Sequence, residues 1–311
     1  MAINVGILGH SPGNGHPFSY SSIINGYSDA GLREAGWPVI YDYVRRRHAS
    51  DFGVEGLRVT CAWTQDAAVT QALCRAANIA TAVASPSEML GQVDAVIIAR
   101  DDAASHRRLA EPFLEAGIPV FIDKPLTLDT VELDYFRPFL ETGKLMSCSS
   151  MRYAWELDVI KAGIADYGQL HVLRGTIVND WARYGVHMLD AIFPLVQARP
   201  VAIRALASRH QSLAITMDDG TLVTVDALGD APPIFRVDVL GSRCHSQHDI
   251  TDNFSMFRRL LSEFAAMVEF GRPSESAETT VWVLKTLIAG NRALQTNQEV
   301  SIDDAQLQAV V

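Results

Sequence analysis

Apolar and β-branched residues in the first part of the chain gather into short strand-like runs: Ala2–Leu8, Leu57–Trp63, a segment opening at Ile79, Val93–Ala99, Pro119–Ile122 and Leu145–Ser149. Of these, Ala2–Leu8, Val93–Ala99 and Pro119–Ile122 read as strands buried on both faces. Between them, Tyr20–Tyr27 and Ala67–Ala77 repeat with helical period, and Ser87–Leu90 reads as one helical turn. Strand and helix in alternation predict a doubly wound parallel sheet. The segment 29–56 is longer than a first strand–helix–strand connection needs and is read as an insertion, so Leu57–Trp63, and not Val39–Tyr43, is the second strand.

After Pro125 the pattern changes. Leu128–Phe139 is a helix expected to be interrupted at Pro138. From Gly168 onward strands follow one another: Leu170–Val178, Val201–Ser208, Leu213–Met217, Thr221–Ala227 and Phe235–Leu240. Asp219-Gly220 between two of them is a hairpin signal, and the series predicts an open, largely antiparallel sheet. Phe254, Phe257, Leu261, Phe264 and Val268 recur at helical spacing before Gly271 and Pro273, and Thr279–Leu294 gives a last apolar helix. The expectation is an α/β protein: a parallel-sheet domain over residues 1–125 and an α+β domain over 126–311 that binds substrate and carries self-association.

Composition narrows the function. A chain of 311 residues, 48% hydrophobic and 20% charged, has enough material for two ordinary cores, and a formal charge of −10 argues against nucleic acid as a partner. Cys61, Cys74, Cys148 and Cys244 lack metal-ligand spacing, so no metal site is expected and the thiols read as reduced. The amino end enters a strand directly, with neither a basic leader nor a long apolar run; a cytoplasmic protein without a membrane partner is expected.

Chemistry concentrates at three places. Lys124 closes the buried strand Pro119–Ile122, at the carboxyl edge where open α/β sheets bind ligands. The loop Gly9-His10-Ser11-Pro12-Gly13-Asn14-Gly15-His16 lies between a strand and a helix, the arrangement in which free backbone N–H groups receive a pyrophosphate. On the helical stretch from Trp181, Arg183, His187 and Asp190 are spaced by four and three residues and fall on one face. A histidine there is a natural proton shuttle.

Asp123-Lys124-Pro125 resembles the Glu-Lys-Pro segment of the glucose-fructose oxidoreductase and inositol dehydrogenase (Gfo/Idh/MocA) family of NAD(P)-dependent enzymes. His106, eighteen residues before Lys124, Met151-Arg152-Tyr153, and the Gly185-x-His187-x-x-Asp190 pattern are similar to further motifs of that family. The resemblance covers nearly the whole chain and implies a Rossmann-type first domain. It further implies that Lys124 hydrogen-bonds the reacting oxygen next to an often cis Lys-Pro bond, that His187 relays a proton, and that Arg152, Tyr184 and Asp190 meet the substrate. For an NAD or NADP cofactor it implies Gly9, His10, Ser11, Gly13, Asn14, Gly15, Thr64, Gln65, Ala99, Arg100, Asp101, His106, Asp123, Lys124 and Pro125. Four departures stand out: Ser11 and Asn14 at glycine positions, Thr64 where the ribose-binding acid is usual, Arg100-Asp101 in place of small residues, and Arg183 in place of the first Asp of Asp-x-x-x-His.

The function expected from these residues is hydride transfer between nicotinamide and a secondary alcohol or ketone of a sugar, cyclitol or related small molecule, with Lys124, His187 and Arg183 catalytic. Arg183 points to an anionic substrate. The alternative is a dinucleotide-binding sensor of the same fold that does not turn over; a Schiff-base role for Lys124 is weaker. An exposed face on the second sheet predicts a homodimer or homotetramer.

Overall fold

The computed structural model describes residues 2–273 and 275–302. By internal contacts the described residues form two units: 2–126, 136–147, 253–273 and 275–276 make the first, and 127–135, 148–252 and 277–302 the second.

The first unit holds six strands, β1 (Ile3–Leu8), β2 (Leu57–Trp63), β3 (Thr81–Ala82), β4 (Ala95–Ile98), β5 (Val120–Ile122) and β6 (Leu145–Met146), in the order β3-β2-β1-β4-β5-β6. All neighbours pair in parallel. Ile7, Val96, Ile97, Ile98, Val120, Phe121 and Ile122 have no exposed surface, which is why these strands read as unbroken apolar runs. The order reverses at β1, placing the carboxyl ends of β1, β2, β4 and β5 along the ligand-binding edge of such a sheet. After β1 comes α1 (His16–Asn25), starting four residues before the apolar pattern suggests. The segment expected as an insertion folds as α2 (Asp29–Glu34), α3 (Pro38–Val44) and a 3-10 turn over Ala49–Asp51. Asp66 then caps α4 (Ala67–Ala76), accepting from the N–H groups of Ala68 and Val69. α5 (His106–Glu115) precedes β5, and α6 (Thr130–Glu141) follows it. Contrary to expectation α6 runs through Pro138, because that proline is on the exposed side of the helix, where the carbonyl it deprives of a partner can be hydrated.

The second unit opens with the short helix α7 (Asp158–Gly163) and contains β7 (Leu170–Ile177), α8 (Trp181–Ile192), β8 (Pro200–Leu206), β9 (Gln211–Met217), β10 (Leu222–Ala227), β11 (Phe235–Gly241) and β12 (His245–Asp249). α9 (Asn253–Phe270) belongs to the first unit, whereas α10 (Ala277–Thr296) and β13 (Val300–Ser301) return to the second. Its sheet has the order β12-β11-β7-β10-β9-β8-β13, antiparallel except for the parallel pair β7–β10. β12 and β13 escape the apolar pattern because one is His-Ser-Gln-His-Asp and the other spans two residues; both are edge strands. Leu173, Ile177, Val223, Val225, Val237 and Val239 line the covered face without exposure. α8 and α10 lock through Trp181, fully buried, whose Nε1–H donates to the Leu287 carbonyl at 3.0 Å. A Cβ on Gly185 would stand 2.7 Å from the indole and one on Gly290 2.5 Å from it, so both glycines are required by this ring.

Candidate active site

In the first unit the loop after β1 is held at both ends by contacts remote in sequence. Gly9 takes φ +83°, and a Cβ there would meet the Arg100 Cδ and Cγ at 2.3 and 2.4 Å. The glycine is therefore needed for the turn and for the Arg100 stem. Gly15 is likewise covered: a Cβ would approach Ile40 Cδ1 at 2.4 Å and the Trp37 ring at 2.7 Å, so α3 and its leading residue pack on the loop. Gly13, at φ +80°, has nothing within 4 Å of a Cβ and alone of these three keeps an open face. Ser11 and Asn14 bridge around it.

At the end of β5, Asp123 is the hub. Its carboxylate accepts from Asn14 Nδ2 at 3.0 Å, from the Tyr20 hydroxyl at 3.3 Å and from the Lys124 backbone N–H at 2.9 Å, and the His16 Nδ1 lies 2.5 Å away. Burial alone would raise the Asp123 carboxyl, yet the charges of His16 and Lys124 and the hydrogen bonds from His16 and Asn14 outweigh it and hold the group far below the usual carboxylate range. Phe257 closes the cluster with its ring 5.2 Å from that of His16 and 5.4 Å from that of Tyr20. The Lys124–Pro125 peptide is cis. Lys124 is only 8% exposed, and its ammonium has no hydrogen-bond partner among the described residues. His106, with no exposed surface, puts Nδ1 2.9 Å from the Leu126 carbonyl and Nε2 2.9 Å from that of Arg100, tying the ends of β4 and β5 together.

Other residues singled out in the sequence are committed internally. The Thr64 hydroxyl donates to the Asp66 carbonyl at 2.7 Å, and Gln65 exchanges two hydrogen bonds with the His10 backbone. The His10 ring sits edge-on to Trp37, and burial together with the nearby Arg100 lowers its affinity for a proton. Arg100 forks onto Asp102 with two contacts of 2.6 Å, the Asp101 N–H donates to Ser11 Oγ at 3.2 Å, and Ala99 is buried behind them. Arg45 and Arg46 pair with Asp42, and Arg47 stacks on Phe254.

Two observations in the first unit fit a dinucleotide: Gly13 leaves its surface open to a close approach, and the Lys124 ammonium has no hydrogen-bond partner among the described residues. The amino end of α1 is met from within the chain, for Asn14 Oδ1 accepts the His16 N–H at 2.9 Å and the Asp123 carboxylate lies against His16 and Asn14.

In the second unit, α8 and the turn after β6 build another cluster. Asp190, fully buried, accepts from Arg152 Nε at 3.0 Å and again from its NH2 group, while its other oxygen accepts the Ser149 backbone N–H at 2.6 Å. Burial would favour loss of the Arg152 proton, but Asp190 more than compensates and holds it tighter. The Ser149 Oγ lies 2.6 Å from His187 Nδ1. The Tyr184 ring stands 5.3 Å from that of His187 and stacks on Phe235. Arg183 does not join them: it is exposed, its backbone N–H donates to the N-cap Asp180, and its guanidinium forms no ion pair among the described residues. His16, Tyr20 and Ser149 were missed in the sequence. Nothing local marks them, since their partners lie 107, 103 and 38 residues away.

Fold and site together define a class: a Rossmann-type unit with a lysine at the end of its fifth strand, and a mixed-sheet unit carrying a histidine on its first long helix. Residues 40–136 match the model of the Gfo/Idh/MocA oxidoreductase family, NAD-binding Rossmann fold. Over these residues the resemblance read from the sequence holds. Myo-inositol 2-dehydrogenase from Lactobacillus plantarum superposes with a TM-score of 0.76 at 16% identity, covering 97% of this chain and 99% of that one. Myo-inositol dehydrogenase from Lactobacillus casei, solved with NAD(H) and myo-inositol, gives 0.76 at 16%, covering 98% of each chain. At these identities the likeness establishes the fold. In sequence, a candidate UDP-kanosamine synthase oxidoreductase subunit of Amycolatopsis mediterranei is 30% identical over 134 residues, 42% of this chain and 36% of that protein. The chain therefore matches about a third of the length of this curated relative. Among the described residues no helix is long and apolar enough to cross a membrane.

The glycine loop allows a direct test. Gly9→Val forces a β-branched residue into a left-handed conformation and into the Arg100 stem, at a cost of about 1–3 kcal/mol in backbone strain, and is expected to weaken NADH binding by at least about tenfold. Fluorescence titration, with circular dichroism to verify folding, measures it; unchanged affinity would separate the loop from the nucleotide.

Proposed function

We propose that this protein is an NAD(P)-dependent oxidoreductase that moves hydride between nicotinamide and a secondary alcohol or ketone of a sugar-like molecule. The observation that carries the reading is the Lys124 ammonium, 8% exposed and without a hydrogen-bond partner among the described residues, at the carboxyl edge of a Rossmann-type sheet. A buried cation in that position is stabilised by an oxygen it polarises. In this reading the first unit holds the cofactor on the open face of Gly13. The nicotinamide, when bound, supplies or receives the hydride. Lys124 donates a hydrogen bond to the reacting oxygen, and His187 in the second unit accepts or returns its proton. With Thr64 and Gln65 committed internally and no free carboxylate at the end of β2, NAD and NADP are both admitted.

Arg183 favours an anionic substrate, since its exposed guanidinium pairs with no carboxylate among the described residues. Named relatives suggest the probes: myo-inositol as the neutral polyol and a UDP-hexose as the anionic sugar. Arg183→Ala is expected to raise KM for the UDP-hexose by about tenfold to a hundredfold, the loss of a charged hydrogen bond of roughly 1.5–3 kcal/mol, with a smaller effect on inositol. An equal effect on both would make Arg183 a surface residue.

Titration with NADH and NADPH, then steady-state absorbance with this panel, tests the whole reading. Nucleotide binding with no turnover of any member would favour the second reading, a dinucleotide-binding sensor, which Arg183 in the place of an acid also supports. Self-association into a dimer or tetramer through the exposed sheet face belongs to the same proposal and is read by sedimentation.

A further inference from the structure

The proton role given to His187 raises the question of what holds its ring. On α8 itself the residue one turn earlier is Arg183, a cation, which cannot accept an imidazole N–H. The structure instead puts a hydroxyl against the ring from another element: Ser149 Oγ, 2.6 Å from Nδ1. That hydroxyl is itself fixed. Ser149 is 1% exposed, its backbone N–H is bound by Asp190 at 2.6 Å, and its Oγ accepts the Met151 N–H at 3.2 Å. Asp190 in turn is anchored by Arg152, whose carbonyl accepts Lys161 Nζ at 2.5 Å. The chain of contacts runs from a buried ion pair through one serine to the imidazole.

We propose that Ser149 is the positioning residue of His187 and sets which of its nitrogens carries the proton. The proposal rests on the oxidoreductase reading for its consequence, though not for its geometry. A serine oxygen has one proton and two acceptor sites, and Met151 occupies one site. The remaining acceptor site takes the Nδ1–H of the imidazole. With Nδ1–H donating to Oγ, Nε2 carries no proton and takes that of a substrate hydroxyl as the carbon gives up its hydride, which leaves an imidazolium. In the reverse direction the imidazolium, still donating Nδ1–H to Oγ, delivers its Nε2 proton to the carbonyl oxygen as that carbon gains hydride. In each direction one proton moves between substrate oxygen and Nε2, and the imidazole restores its starting state by exchange with solvent. The hydroxyl thus fixes the ring so that Nε2 is the nitrogen that takes the proton in one direction and returns it in the other.

The experiment is side-chain nitrogen NMR of the full-length protein labelled with [15N]histidine, without cofactor or substrate, His187 being assigned with His187→Gln. In the parent the His187 Nδ1 resonance is expected away from that of an exposed histidine, Ser149→Ala should return it there, and Ser149→Thr, which keeps the hydroxyl, should preserve the parent position. Kinetics with the best substrate should then fall by roughly ten- to a hundredfold in kcat for Ser149→Ala at nearly constant KM, and recover in Ser149→Thr. An Nδ1 resonance identical in the parent and Ser149→Ala overturns the proposal. So does equal loss of kcat in the Ala and Thr variants, which would make Ser149 a cap for the turn after it and nothing more. If no substrate is turned over by the parent, the oxidoreductase reading fails, while the resonances still decide whether Ser149 governs the imidazole.

Discussion

Lys124→Ala is expected to lower kcat by about two to four powers of ten on the best substrate of the panel, with NADH affinity nearly intact. The basis is differential: an ammonium that polarises the reacting oxygen interacts most strongly as charge develops there, so its removal falls on the transition state. Lys124→Arg is not expected to rescue, because a planar guanidinium cannot occupy the place of a compact ammonium on a residue 8% exposed. The alanine removes the Lys124 charge that helps to hold the Asp123 carboxyl ionised, but Asp123 keeps His16, Asn14, Tyr20 and the backbone N–H. Retained turnover would remove Lys124 from the chemistry. A large loss of NADH affinity with kcat preserved would make it a cofactor ligand only.

The second large effect is on stability. Asp190→Ala should destabilise the protein by about 3–5 kcal/mol, because it leaves the Arg152 guanidinium, 2% exposed, without its counter-charge and strips the acceptor from the Ser149 N–H. Chemical denaturation followed by circular dichroism measures this. The double change Arg152→Met with Asp190→Leu is expected to recover a good part of the loss, since neither charge is then left buried alone. A loss below about 1 kcal/mol for the single variant would mean that water reaches the pair and that it is not the anchor of the turn carrying Ser149.

Covered strands made the first sheet legible. β4 and β5 consist of buried residues and β1 is buried from Val5 onward, and burial on both faces leaves an apolar run that can be read without knowing the partner strands. β7 is legible by the alternation its solvated face leaves, β9 and β10 by consecutive buried residues, and α9 and α10 by apolar positions of helical period. β12 and β13 were beyond reach because edge strands bury little and their residues are polar or few.

For the site, the residues that act through their own type were visible: Lys124 at a strand end, and His187 and Asp190 on one helix face. What tertiary structure alone decided is which groups these residues meet. Gly9 and Gly15 were read as glycines for a phosphate, and the fold assigns their faces to Arg100, Trp37 and Ile40, leaving only Gly13 open. Arg183, His187 and Asp190 share a face by periodicity, yet Asp190 is buried with Arg152, His187 turns to Ser149 and Arg183 remains in solvent. Helical spacing fixes direction around an axis, whereas depth is set by what packs on that helix from elsewhere in the chain. His16 and Asp123 make the same point from the other unit: a contact of 2.5 Å across 107 residues follows from the meeting of α1 with the end of β5, and no local pattern encodes a meeting between distant segments.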